Sequence, residues 1–130
     1  MLGSAAMIDH LTLRVRDFEK SKAFYLKALE PLGYKVIMDF GPFCGLGEPP
    51  MPDFWLAPHE EKHPAGTGKH LAFRAKGHAV VDAFHKAALA AGGKDDGAPG
   101  PRKDYHPSYY GAFVIDPDGN HIEACCHKPE

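Results

Sequence analysis

The chain has 130 residues, a formal net charge of -2 and 44% hydrophobic residues. This length suits one domain and is too short for two independent cores. The mixed Lys, Arg, Asp and Glu content gives no broad field that would attract a phosphate backbone or an anionic membrane, so we expect neither as a partner. The sequence shows no spanning segment or signal peptide, which predicts a cytoplasmic protein.

The three cysteines do not form a disulfide framework in this reading. Cys125 and Cys126 are adjacent in a predicted strand, where neighbouring side chains point to opposite faces, and Cys44 completes an odd number. We expect all three to be small buried residues in a reducing compartment, rather than redox or metal-binding groups.

An internal repeat organises the chain. Residues 10–33 align without gaps with residues 70–93, and the identical pairs include His10 with His70, Phe24 with Phe84 and Gly33 with Gly93. Because repeated sequence predicts repeated structure, we expect the two halves to fold alike. The single domain is predicted to span residues 7–128, after an added or frayed extension at residues 1–6.

The first repeat, residues 7–58, is predicted to contain a strand, a helix and three further strands. Residues 8–15 alternate between apolar and polar side chains, as a half-buried strand does. Asp17 is placed to cap a helix that ends near Gly33. Three short strands are expected at residues 34–40, 43–46 and 54–57.

The second repeat, residues 68–126, is predicted to follow the same order. Residues 69–75 form its first strand, and residues 79–91 form a helix that ends at two glycines. The expected later elements are a weak strand near Lys94, a strand at 109–115, a turn at 116–119 and a strand at 120–126. Residues 58–68, rich in Pro, Gly, His and charge, are the expected surface linker.

These elements predict an α+β fold made of two paired βαβββ units, with a curved, partly open mixed sheet and helices on its outer face. If the apolar strand faces pack on the helices, the opposite faces carry the polar residues and leave a polar concavity. The residues predicted to line it are His10, Thr12, Arg14, Trp55, His70, Arg74, His121 and Glu123.

Two imidazoles and one carboxylate in that concavity have the composition of a facial triad. His10 and His70 occupy equivalent repeat positions, and Glu123 lies on the last strand of the second repeat. Such a set binds a divalent ion and leaves coordination positions open for substrate or water. Imidazole nitrogen and carboxylate oxygen suit iron(II), manganese, nickel, cobalt or zinc, and do not choose among them.

Three stretches, residues 8–15, 69–73 and 113–123, resemble the signature regions of the vicinal oxygen chelate superfamily, which includes glyoxalases, bleomycin resistance proteins and extradiol dioxygenases. The resemblance covers nearly all of the chain and implies paired βαβββ units. It also implies that His10, His70 and Glu123 bind the metal, that vicinal oxygens of a small-molecule substrate chelate this metal, and that two chains form a homodimer.

The resemblance has one departure. Glyoxalase I enzymes carry a second carboxylate on the last strand of the first unit, where the repeat alignment places Trp55, or less readily Leu56. This departure argues against ordinary glyoxalase I activity, unless Asp53 or Glu48 approaches from a neighbouring turn. Trp55 itself is read as core or as cavity wall, and its place on the polar face favours the wall.

The sequence therefore predicts a metal-dependent lyase, isomerase or dioxygenase, with a metal-free binding protein of the bleomycin-resistance type as the alternative and a vestigial site as a third reading. The site could close within one chain or across the dimer. The loop at residues 101–110 either covers the cavity or packs on the surface. In the first case Tyr105, His106 or Tyr110 would orient the substrate.

Overall fold

The structure is a computed structural model, and it describes residues 7–129. The predicted extension at residues 1–6 lies outside the described residues. Among the helices of the described part, none is long and apolar enough to cross a membrane.

The first unit is a four-stranded mixed sheet with one long helix. In the sheet the strands lie in the order β1-β4-β3-β2, with β1 parallel to β4 and the other neighbours antiparallel. A short 3-10 turn at Glu30–Leu32 extends the helix. The elements are β1 (Leu11–Val15), α1 (Phe18–Leu29), β2 (Lys35–Asp39), β3 (Cys44–Gly47) and β4 (Phe54–Pro58).

The second unit repeats this topology, with strand order β5-β8-β7-β6 and a parallel β5–β8 pair. The predicted α+β fold with two βαβββ units is therefore confirmed, and its hydrogen bonding divides the strands into two open sheets. The elements are β5 (His70–Arg74), α2 (His78–Ala90), β6 (Lys94–Pro101), β7 (Tyr110–Ile115) and β8 (His121–Cys126).

The two helices begin differently. The Asp17 side chain accepts a hydrogen bond from the Lys20 amide at 3.1 Å, so this residue caps α1 as predicted. Gly33 ends the following 3-10 turn with φ of 89°, a left-handed conformation that favours glycine. At the start of α2, Gly77 has an extended backbone and provides no side-chain cap.

Two strand boundaries differ from the prediction. β1 starts at Leu11 rather than at residue 8, because its parallel pairing with β4 begins at Leu11 and Phe54. β6 runs to Pro101 rather than staying near Lys94, with register shifts on both sides of Gly97. Proline and glycine hide this strand in the sequence, and the edge position of β6 tolerates them.

One hydrophobic core includes residues from both units. Phe24 of α1 and Phe84 of α2, which are equivalent in the repeat, are both fully buried in it. Phe54 of the first sheet meets Phe73 of the second edge to face, with ring centroids 5.3 Å apart. The three cysteines are free and buried, as predicted. The helices and the inner sheet faces thus form the core, and the opposite faces are left for polar groups.

Candidate metal-binding site

His70 and Glu123 come together on the second sheet. Ala72 of β5 is opposite Glu123 of β8, and His70, two residues earlier, shares the face of Ala72. We call this the helix-distal face, because Ile122 and Ala124 on the other side of β8 belong to the core. His70 Nε2 lies 2.8 Å from Glu123 Oε1, and the glutamate side chain is only 3% exposed whereas the histidine is 57% exposed.

Tyr109 holds the second oxygen of Glu123. Its phenol donates a short hydrogen bond to Glu123 Oε2. A Cβ added at Gly111 would lie 3.3 Å from that oxygen and 3.2 Å from the Tyr109 ring, so glycine leaves room for the contact. Burial, aided by the hydrogen bond to Glu123, raises the pKa of the Tyr109 phenol well above its usual range. Tyr109 therefore keeps its proton and remains a donor at neutral pH.

The Tyr109 ring is itself held by aromatic neighbours. Tyr105, His106 and His127 pack edge-on against it, with ring centroids at 4.9, 5.4 and 5.0 Å respectively. The sequence reasoning missed Tyr109, although strand alternation carries the signal. Phe113 pairs with Glu123 across β7 and β8, and residues 109, 111 and 113 alternate onto the same face.

The donor pair suits a divalent metal ion. Two neighbouring ligands of an ion at about 2.1 Å lie about 3 Å apart, close to the separation of the His70 and Glu123 donor atoms. A carboxylate whose other oxygen is fixed by a neighbouring donor is also typical of metal ligands. Among residues 7–129, however, no three His, Cys, Asp or Glu side chains form a group that could hold a metal.

His10 does not join the pair within one chain. It lies just before β1 rather than in the predicted strand, and its Nδ1 is 2.8 Å from Asp9 Oδ1. More than half of its side chain is exposed. The structure thus brings together two of the three predicted ligands and leaves the third accessible on the first unit.

Trp55 occupies in the first sheet the position that Glu123 occupies in the second. Trp55 is opposite Thr12 of β1, whose repeat equivalent Ala72 is opposite Glu123. The indole lies over Gly45, where an added Cβ would be 2.9 Å from the ring, and it stacks on Phe40 with ring centroids 6.1 Å apart. The first sheet therefore presents an aromatic surface at this position.

The two carboxylates considered as substitutes are engaged elsewhere. Asp53 accepts hydrogen bonds from the Tyr34 phenol at 2.8 and 3.0 Å. Glu48 forms an ion pair with Lys76 at 2.9 Å. Neither contact is with His70 or Glu123, although both carboxylates line, together with His70, a cavity of about 780 Å³.

Three further predicted substrate residues, Thr12 and Arg14 of the first unit and Arg74 of the second, have modest contacts. Thr12 is exposed. Arg14 donates to the Pro58 carbonyl at 3.1 Å, and its guanidinium lies 5.9 Å from the Phe43 ring centroid. Arg74 is exposed and lies opposite Cys125 in the β5–β8 ladder.

The second unit has a cavity of about 340 Å³ beside His70. Of the predicted residues, Tyr105 and His121 line it together with His70, and His121 Nδ1 is 2.8 Å from Asp96 Oδ2. The cavity also contains Arg102 and Phe113, which the sequence reasoning did not select.

The other two loop candidates lie outside this cavity. The Tyr110 ring stacks on His78 with centroids 3.9 Å apart, and its phenol donates to Asp82 at 2.7 Å, so it faces α2 instead of the helix-distal face. This placement follows from alternation, because Tyr110 is offset by one residue from Tyr109 and Gly111. His106 stacks on His127 and packs against Tyr109, and so supports the tyrosine.

Paired βαβββ units with a histidine and a buried carboxylate on one sheet face indicate a particular class of protein. A comparison of the sequence with known protein families identifies that class. The family model of the Glyoxalase/Bleomycin resistance protein/Dioxygenase superfamily matches residues 7–124. The chain belongs to this superfamily. No curated protein matches the chain.

Solved structures agree with this assignment. A glyoxalase/bleomycin resistance protein from Albidiferax ferrireducens T118 is 31% identical with a TM-score of 0.80, and the match covers 95% of this chain and 100% of that one. A family enzyme from Burkholderia phytofirmans PsJN is 22% identical with a TM-score of 0.72, covering 95% and 100%. A glyoxalase-related enzyme from Fulvimarina pelagi is 21% identical with a TM-score of 0.67, covering 94% and 88%.

Proposed function

We propose that the protein is a divalent-metal-dependent enzyme of lyase, isomerase or dioxygenase type, acting on a small substrate with vicinal oxygens. The observation that carries this proposal is the arrangement of Glu123. One of its oxygens lies 2.8 Å from His70 Nε2, and the other accepts from Tyr109. The imidazole and the phenol offset the cost of burying this carboxylate, and because the imidazole is exposed a ligand can reach the pair, which supports a binding role.

The residues of this chain have distinct roles in the proposed site. Glu123 and His70 supply an oxygen and a nitrogen ligand, and Tyr109 fixes the orientation of the carboxylate. A bound divalent ion would supply Lewis-acid stabilisation of negative charge on substrate oxygens. Because Trp55 stands where a second carboxylate would lie, the proposed reaction is one that needs no base from the first sheet.

The third ligand is proposed to be His10 from a second copy of the chain, in a homodimer. Both β1 and β5 are edge strands, so each unit has a strand available for pairing or packing. Met7, Ile8 and Leu11 beside His10 are large apolar residues that the single chain leaves exposed. Covering such a patch is a common reason for association. A cross-dimer site would bring His10 to the exposed imidazole of His70.

A second candidate function is metal-free binding of a small molecule, as in bleomycin resistance proteins. The Phe40–Trp55 stack favours it, because a planar aromatic surface binds apolar ligands without any metal. The two functions differ in one measurable property, which is the need for the His70 and Glu123 ligands.

Metal content, measured by mass spectrometry on protein purified without added metal or chelator, tests the proposal. We expect about one divalent ion per chain, lost in Glu123→Ala and retained in the matched control Glu48→Ala, whose carboxylate pairs with Lys76. Absence of metal in the native protein, even after reconstitution with iron(II), manganese, nickel, cobalt or zinc, would reject the enzyme proposal and favour the binding protein.

Mixing variants tests the shared site. His10→Ala and His70→Ala should each lose metal alone. In a mixed dimer, the intact His10 of one chain meets the intact His70 of the other, so one full site per dimer should return after the two variants are unfolded and refolded together. No recovery in a mixture shown to contain mixed dimers would exclude a site across the interface.

A further inference from the structure

The cavity beside His70 contains a guanidinium without an acidic partner. Arg102 lies at the end of β6, and among residues 7–129 no Asp or Glu carboxylate forms an ion pair with it. Its Nη1 donates to the Gly100 carbonyl at 3.0 Å and its Nη2 to the Ala98 carbonyl at 2.8 Å. These bonds neutralise no charge, so Arg102 keeps a full positive charge at the cavity wall.

Arg102 is also held in a fixed orientation. Its Cζ lies 5.3 Å from the ring centroid of Phe113, which also lines the cavity. The His70 ring approaches the same phenylalanine, with ring centroids 6.2 Å apart. The Arg102 guanidinium and the imidazole of His70, a proposed metal ligand, therefore both lie near the Phe113 ring. A guanidinium fixed by carbonyls and an aromatic ring loses little side-chain entropy when it binds an anion.

Tyr105 adds a second possible donor to the cavity wall. The Tyr105 phenol and His121 Nε2 have no hydrogen-bond partner among the described residues. Asp96, the one carboxylate of the cavity wall, is already engaged with His121 Nδ1 at 2.8 Å. A wall with a guanidinium and a phenol, whose acid is paired internally, complements a ligand oxyanion.

We propose that this cavity binds the carboxylate of the substrate, which would make the substrate a small hydroxy or oxo acid. The carboxylate contacts Arg102 and the Tyr105 phenol, and the oxygenated carbons extend over Phe113 toward His70. This assignment of substrate class rests on the proposed function, since His70 belongs to the proposed metal site. Binding of the acid group itself needs only the cavity.

Malate and 1,2,4-butanetriol provide the probe pair, because they share a carbon skeleton and differ in the carboxylates. Their dissociation constants are measured by protein-observed NMR titration on the full chain, after treatment with chelator and at fixed ionic strength. We expect malate to bind at least about 10-fold more tightly than the triol, because hydrogen bonds to charged groups are strong. Equal binding of the two probes would overturn the proposal.

Two variants test whether the carboxylate of malate binds at Arg102. Arg102→Gln should weaken malate binding about 10-fold or more. Lys103→Gln, which removes the same charge from the exposed neighbouring residue, should change it less than about 2-fold. Equal effects of the two variants would show a response to net charge alone and overturn the proposal. Because the Arg102 side chain also bonds to carbonyls of β6, Tyr105→Phe is a second variant that keeps those bonds, and a malate affinity identical to the native value would contradict the phenol contact.

Two further outcomes are distinguished by the same titration. Inorganic phosphate that binds as tightly as malate would overturn the assignment to carboxylic acids. The metal-free titration is independent of the metal analysis. Loss of the proposed metal function with retained malate selectivity would therefore leave a carboxylate-binding cavity, and the reverse result would leave a metal site with another substrate class.

Discussion

In the second sheet the residue opposite Ala72 is Glu123, whereas in the first sheet the residue opposite the equivalent Thr12 is Trp55. The neighbouring strands differ in the same way. Glu123 lies opposite Phe113, and Trp55 lies opposite Gly45, which leaves space for the indole. The repeat thus preserves positions and registers, while the side chains on the helix-distal faces differ. One sheet carries the His70–Glu123 pair, and the other carries an aromatic surface.

The core-facing sides of the two units are alike, and substitutions there are expected to have the largest effects on the free energy of unfolding. Phe24→Ala and Phe84→Ala should each lower the free energy of unfolding by about 3–5 kcal/mol, because each opens a cavity in the shared core. Urea denaturation followed by circular dichroism measures both. The exposed Met51, changed to Ala, is the control and should shift stability by less than about 0.5 kcal/mol.

A single unfolding transition is expected in each of these variants, since the core includes both units. Two separate transitions, with one unit unaffected, would contradict a common core.

The helix-distal faces of the two sheets differ, and Tyr109→Phe tests the role of the phenol that contacts Glu123 on the second of them. Removing the phenol leaves Glu123 Oε2 without its donor, so the affinity for a divalent metal should fall about 10–100-fold. Competition with a chromophoric chelator measures the dissociation constant, and the absorption spectrum of the cobalt(II) form reports the ligand geometry. Tyr105→Phe is the matched control, because Tyr105 touches Tyr109 through its ring. Unchanged affinity and spectrum in Tyr109→Phe would reject the positioning role.

Substitutions at the residues that precede the two helices are expected to have the smallest effects on the free energy of unfolding. Asp17→Ala removes a side-chain cap and should cost about 1 kcal/mol of unfolding free energy. Gly77→Asp adds a cap at the equivalent start of α2, where the backbone is extended, and should stabilise by about 0.5 kcal/mol or less. Thermal and urea unfolding of the two variants show whether each substitution lowers or raises the free energy of unfolding. A lower free energy of unfolding in Gly77→Asp than in the native chain would contradict the expectation that a side-chain cap stabilises α2.

Much of the fold was predictable because two periodicities appear twice in the chain. Alternation in the strands separated Leu13 from Thr12 and Ile122 from Glu123, and the repeat aligned Trp55 with Glu123. Asp17 and Gly33 carried the capping signals of the first helix. The β6 strand was underestimated because its prolines and glycines resemble a loop, and only an edge position makes them compatible with a sheet.

Less of the site could be predicted. The contact between Tyr109 and Glu123 depends on the space above Gly111 and on the packing of the Tyr105, His106 and His127 rings around the phenol, and a strand or helix pattern does not encode such packing. Tyr110 was selected although its alternation directs it to α2. In the proposed dimer, the position of His10 relative to His70 depends on how two chains associate, and strand patterns carry no information on that association.

Trp55 has a practical consequence for solution work, because it is the only tryptophan in the chain. Excitation at the red edge of indole absorption addresses this residue without the tyrosines, so the emission comes from one known position on the helix-distal face of the first sheet. The ring is partly exposed and stacked on Phe40, which makes its emission wavelength and quenching sensitive to whatever covers that face. The chain thus contains an intrinsic fluorescent probe for the proposed dimer and for the proposed binding of a ligand.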